Sequence, residues 1–144
     1  TTGRERAMKE KNLVRADSCV KIAYPSRLAM YRRWVEMLRP FHGLQKRQQD
    51  VMALLLLKRD ELSRRTDDEE LINERLFSPS MKQEVAEACK MKKAQLYLAL
   101  QRMEKVGVIK DGTLNKRFIP RFDNGHPTFN FVICFDLTQL KDEG

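Results

Sequence analysis

Residues 81–110 read MKQEVAEACKMKKAQLYLALQRMEKVGVIK, and the changes of pattern inside this stretch decide the fold. Met81, Val85, Ala86 and Cys89 recur at helical spacing, and the pattern slips phase at Lys90 and Met91. Leu96, Ala99, Leu100 and Met103 resume the period on a second helix. Gly107 fits the left-handed residue that closes a helix, and Val108-Ile109 reads as the start of a strand. Two short amphipathic helices back to back, followed at once by strand, set the frame for the rest of the chain.

Downstream, KRFIPRF (116–122) and TFNFVICFDL (128–137) read as two strands of a hairpin joined by DNGHP, in which Asn124-Gly125 is a turn signal. Phe129, Phe131, Ile133 and Phe135 alternate, which predicts one face in the core. Lys116, Arg117 and Arg121 fall on or beside the outer side of the first strand. The even spacing of Phe118, Phe122, Phe129 and Phe131 fits sheet core better than base stacking.

Upstream, Thr66 and Glu69 form a capping-box pattern over a helix with Leu71, Ile72 and Leu76 inward. Its run Asp67-Asp68-Glu69-Glu70 suits the positive end of a helix better than a cation site. Ser78 with Pro79, or Ser80 with Gln83, starts the next helix. Residues 44–65 predict a helix that is apolar nearly all round at Leu54–Leu57, so it is central to a core or lies in an oligomer interface. Residues 26–39 predict another, with Ser26 as N-cap, Leu28, Tyr31, Val35 and Leu38 as its stripe, and a stop ahead of Pro40. Val20, Ile22 and Tyr24 alternate as a short strand, and residues 1–15 read as a basic arm.

The organisation expected is therefore a basic arm and short strand at 1–25, a helix and linker at 26–43, the main domain at 44–138 and a tail at 139–144. The class is mainly α with a small antiparallel β-hairpin (α+β).

Charge narrows the partners. The 144 residues carry a formal charge of +8, with 28 Lys and Arg against 20 Asp and Glu. A basic chain favours polyanions. Residues 66–79 are acidic and separate a basic N-terminal part from the basic stretch that holds the two helices. Cys19, Cys89 and Cys134 are odd in number and widely spaced, so free thiols in a reducing compartment are expected rather than a disulfide framework. No apolar run is long enough to cross a bilayer, and no signal peptide is read. His42 and His126 have no partners at metal-ligand spacing, so no metal and no cofactor is expected. No nucleophile–base pair, phosphate-cradling loop or carboxylate dyad is evident, and the chain reads as a non-enzyme.

Residues 81–109 resemble the winged helix–turn–helix domain in the layout of MarR-like bacterial regulators. Those proteins carry Glu-apolar-Ala, a turn, a recognition helix, then Arg-apolar-Glu-Lys-x-Gly-apolar-Ile. Here Glu84-Val85-Ala86 matches the first part, and Arg102-Met103-Glu104-Lys105 with Gly107-Val108-Ile109 matches the last. The chain departs from the pattern at Lys90, where the turn is usually Gly, at Lys92-Lys93-Ala94-Gln95 in place of a Ser/Thr-rich start, and at Leu98, where a polar or basic side chain is usual.

The resemblance implies a winged helix–turn–helix fold with an N-terminal helical extension. It implies a DNA-binding protein, a transcription regulator or a replication-initiation factor. Recognition of double-stranded DNA would use Lys90, Lys92, Lys93, Gln95, Tyr97, Gln101 and Arg102, and the wing would use Lys116, Arg117, Arg121 and His126. A homodimer is expected through the N-terminal helices, where Met30, Tyr31 and Trp34 lie beside the leucine run. Cytoplasmic, nucleoid-associated localisation follows. The alternative is a structural or adaptor protein of a phage particle or polymerase assembly, located in the virion in the first case, that uses the winged helix for protein–protein contacts. Leu98 and the leucine run motivate it.

Overall fold

The computed structural model describes residues 22–122, 129, 131–133 and 135–141. The chain divides into two units: Tyr24–Pro120, and Thr1–Ala23 together with Arg121–Gly144. The first is mainly helical with a small two-stranded antiparallel sheet.

In that unit, α1 (Arg27–Met37) starts where the Ser26 side chain accepts from the Ala29 N–H. It buries Tyr31 and Val35 of the expected stripe together with Trp34, which lies outside that stripe; Leu28 is only half-buried, and Leu38 is buried just past the last turn. The helix ends ahead of the point that Pro40 alone would require. Pro40 lies in the first turn of a separate short helix, α2 (Arg39–His42), where a missing N–H costs nothing. Gly43 closes α2 at φ +61°.

Helix α3 (Lys46–Ser63) is the axis of the unit and packs on α1, α4, α5 and α6. Val51 to Leu56 are buried without a break. A helix ringed by neighbours has no side left for polar residues, which is why its apolar stripe widens to the full circumference. The leucine run thus lies in the core of a single chain.

Helix α4 (Glu69–Leu76) is capped by Asp68, whose side chain accepts from the N–H groups of Glu70 and Leu71. The expected cap, Thr66, lies two residues further out and accepts from the Asp68 N–H. The acidic run is arranged as a double turn, and the shorter carboxylate at Asp68 takes the cap itself. Ile72 and Leu76 are buried and Leu71 is half-buried. Ser78 caps α5 (Pro79–Ala88), with Pro79 at its first position. Helix α6 (Lys93–Lys105) follows after a four-residue turn. It buries Leu96, Ala99, Leu100 and Met103.

The sheet departs from expectation. Its strands are β1 (Ile109–Lys110) and β2 (Thr113–Leu114), paired antiparallel with Ile109 opposite Leu114 and Lys110 opposite Thr113. Asp111 and Gly112 form the turn, both with positive φ, at +55° and +73°. Two left-handed central residues match the strand twist, the reason Asp-Gly favours tight hairpins. Ile109 and Leu114 are both buried, so the pair faces the core.

The strand expected over 116–122 is absent. Lys116–Phe118 is a turn of 3-10 helix, started by Asn115, and no strand follows to Phe122. Trp34 holds this turn by donating its indole N–H to the Phe118 carbonyl at 2.8 Å, and the buried Phe118 ring lies near His42. His42 is buried and satisfied on both nitrogens: Nε2 meets the Val35 carbonyl at 2.7 Å and Nδ1 accepts from the Leu44 N–H at 2.9 Å.

In the other unit, no described residue is in a strand. Phe131, Ile133 and Phe135 are exposed, the last at 84%, so alternation here does not mark a core face. Phe122 and Phe129 stack edge to face at 4.8 Å. The Asn124-Gly125 turn, His126, most of the strand expected near Tyr24, Cys19, Cys134 and the basic arm lie outside the described residues. Residues 22–24 of that expected strand are not in one.

Candidate functional site

Helices α5 and α6 meet through a turn built on a left-handed lysine. The Lys90 N–H donates to the Glu87 carbonyl and the Met91 N–H reaches back to the Ala86 carbonyl at 2.8 Å. This pair of bonds is the Schellman helix ending, which requires positive φ at its hinge residue. Lys90 supplies it at φ +53°. Arg47 of α3 reaches the Lys90 carbonyl with a long 3.5 Å contact. Cys89, next to the hinge, is half-buried, and burial raises its thiol above the ordinary value, with the Asp50 carboxylate adding to the shift.

The start of α6 is capped by its own side chain. The Lys92 N–H donates to Gln95 Oε1 at 2.9 Å. That bond commits the carbonyl oxygen of Gln95 to the fold and leaves its amide nitrogen to contact an outside acceptor. Lys90, Lys92, Lys93, Gln95, Tyr97, Gln101 and Arg102 are all exposed, and all lie on α6 or on the turn before it. Lys82 of α5 and Lys93 of α6 hold their ammonium groups over the Tyr97 ring, at 5.5 and 6.0 Å from its centre. Tyr97 forms one wall of a groove of about 440 Å³ between α5 and α6, floored by Ala86, Leu96 and Leu100.

The cations of this face differ from those of the N-terminal helices in one respect. Arg27 and Arg64 pair with Asp60, Arg32 with Asp50, Arg33 with Glu36, and Arg59 with Glu69. Among the described residues, none of Lys82, Lys90, Lys92, Lys93 and Arg102 has an ion pair. Much of the basic charge of α1 and α3 is paired with carboxylates of the same unit, and among the described residues that of the α5–α6 face is not.

The expected wing set is not brought together. Lys116 and Arg117 are exposed on the 3-10 turn after the hairpin, because Asn115 ends β2 there. Asn115 donates Nδ2–H to the Gly107 carbonyl and its backbone N–H to the Val108 carbonyl, tying the turn to the end of α6. Arg121 belongs to the other unit and is in no strand, and His126 lies outside the described residues. Sequence reasoning missed Lys110, which precedes the hairpin tip. The Asp111-Gly112 pair was the signal that would have found it.

Among the described residues, no group of three or more His, Cys, Asp or Glu could hold a metal ion, and no helix is long and apolar enough to cross a membrane. The described architecture defines a mainly helical protein with a minimal antiparallel hairpin. Compared with protein-family models, with curated proteins and with solved structures, the chain matches none.

Proposed function

We propose that this chain is a DNA-binding protein, a transcription regulator or replication-initiation factor, in which α6 reads duplex DNA and α5 holds it in place. The observation that carries the reading is the cluster of cations at the start of α6, exposed and without ion pairs among the described residues. A phosphate backbone is the partner that such a cluster fits, and the positive end of the α6 dipole adds to it. The order helix, turn, helix, hairpin supports a winged helix–turn–helix reading, with Lys110, Asp111 and Gly112 as a wing of minimal length. Lys116 and Arg117 extend its basic flank.

Lys90 supports the same reading from energetics. A non-glycine residue in left-handed conformation costs about 1–2 kcal/mol, and such costs persist where another demand on the residue outweighs them. A lysine there keeps a cation beside Lys92 and Lys93.

The adaptor reading keeps one observation in its favour: Tyr97 and Leu98, neighbours on α6, are 45% and 66% exposed. Retention of the chain on duplex DNA, measured against salt and across competing sequences, separates the two. Salt-sensitive, sequence-selective retention is expected of the regulator. Weak retention that ignores sequence belongs to the adaptor.

A further inference from the structure

The DNA-binding reading leaves open what α6 reads, and the inference here rests on that reading. Buried Leu96, Ala99, Leu100 and Met103 define the inner stripe of the helix. At about 100° per residue, the stripe directly opposite is Ala94, Leu98, Gln101 and Lys105. All four are exposed. At 66%, Leu98 is the most exposed large apolar side chain of the Tyr24–Pro120 unit.

The outermost stripe of the helix is therefore apolar at its centre. Arg102 lies beside this stripe and Lys105 ends it, while Lys92 and Lys93 sit at the N-terminal end of the helix, on the side nearer its buried face. Side chains on a groove-facing stripe meet base edges, and cations at a helix N-terminus or flank meet phosphates. An aliphatic side chain can make no hydrogen bond there. The one apolar group that a base edge offers in the major groove is the C5 methyl of thymine. Gln101, one turn after Leu98, has the two-pronged amide that matches adenine N6 and N7.

We infer that Leu98, with Ala94 one turn before it, packs on thymine methyl groups, and that the target site carries A·T pairs where α6 meets it. Lys92 and Lys93 supply affinity without regard to sequence. Leu98 supplies selectivity.

The test starts from duplexes enriched by the full chain from a random-sequence pool. Thymines at the positions α6 covers are then replaced by deoxyuridine, which keeps base pairing and removes only the methyl. The parent chain should bind about fourfold more weakly for each methyl removed from beneath Leu98 or Ala94. Leu98→Ala should lose the discrimination that comes from methyls beneath Leu98 and keep that from methyls beneath Ala94, and because Leu98 is exposed, this variant should melt with the parent. Equal affinity of the parent chain for the two duplexes overturns the inference and leaves DNA reading intact. Enrichment of no sequence overturns the inference and the DNA-reading proposal together.

Discussion

Lys90 and Gly107 occupy the same position in two copies of one helix-ending motif. Each is the left-handed residue after a helix, at φ +53° and +85°. Each donates its N–H to a carbonyl three residues back: Lys90 to Glu87, and Gly107 to Glu104. The residue after each reaches five residues back, Met91 to Ala86 and Val108 to Met103. The geometry is shared and the residue types are not. Glycine has no side chain to strain in this conformation, whereas lysine carries a Cβ against the following carbonyl.

Exchanging residues at these two positions should move stability in opposite directions. Lys90→Gly relieves about 1–2 kcal/mol of backbone strain, partly offset by about 0.4–1 kcal/mol of added freedom in the unfolded chain. A net gain of about 0.5–1 kcal/mol is expected. Gly107→Ala should destabilise by a similar amount. No heavy atom lies within 4 Å of a Cβ built there, so the cost is one of backbone conformation and not of crowding. Urea denaturation measures both. A Lys90→Gly variant less stable than the parent would mean that the lysine side chain stabilises the fold through an interaction of its own.

Lys92 and Lys93 should be separable from the fold. Both are exposed and lie outside the core. Lys92→Ala with Lys93→Ala should leave the melting temperature near that of the parent and weaken retention on duplex DNA. The log–log salt slope should become shallower by roughly 0.9 for each phosphate that the variant no longer neutralises. A folded double variant with the slope of the parent would remove α6 from the interface.

Tyr31 makes stability depend on alkaline pH. Its phenol is buried, and burial raises it well above its ordinary value of 10.0, with the Asp60 carboxylate adding to the shift by charge and by hydrogen bond. The folded value is raised, so the stability it represents is fully present below about pH 10. As pH rises further, the unfolded chain ionises first and that stability is lost. Tyr31→Phe removes the effect. The stability gap between parent and variant should be constant from pH 7 to 9.5 and close above about pH 10, by at most about 1.4 kcal/mol per pH unit. A gap that stays constant to pH 11 would show that the phenol ionises equally in both states.

How far each element could be read from sequence depended on how local its cause was. Helices α1, α3, α5 and α6 were legible because apolar spacing and their flanking residues agree, as at Ser26 and Ser78. The cap of α4 was not, since Thr66 and Asp68 both offer an oxygen and only the turn geometry chooses Asp68. The hairpin was misplaced because alternation at Phe129 to Phe135 looked stronger than two short strands around Asp111-Gly112. Strands of two residues have no period to read, and their sole local signal is the turn. The exposed cations of α6 were legible as residue types. Their lack of ion pairs among the described residues was not, because it depends on which carboxylates α1 and α3 place beside their own arginines.

The leucine run supplies the last prediction, because it was legible as apolar and ambiguous in use. A run apolar on all sides serves a core within one chain or an interface between chains, and composition cannot separate them. In the structure Leu55 and Leu56 are buried within a single chain, as are Tyr31 and Trp34 on α1 beside them. The apolar side chains of α1 and α2 that remain exposed are Met37 and Phe41. Two such side chains make a small apolar patch, whereas an obligate dimer interface is large and mostly apolar. Leu56→Ala should therefore lower stability by about 2–5 kcal/mol, the range for a large core residue cut to alanine. The unfolding midpoint of parent and variant should not change as protein concentration is raised a hundredfold, since a single chain folds without mass action. A midpoint that climbs with concentration in the parent and not in the variant would show that the leucines hold two chains together.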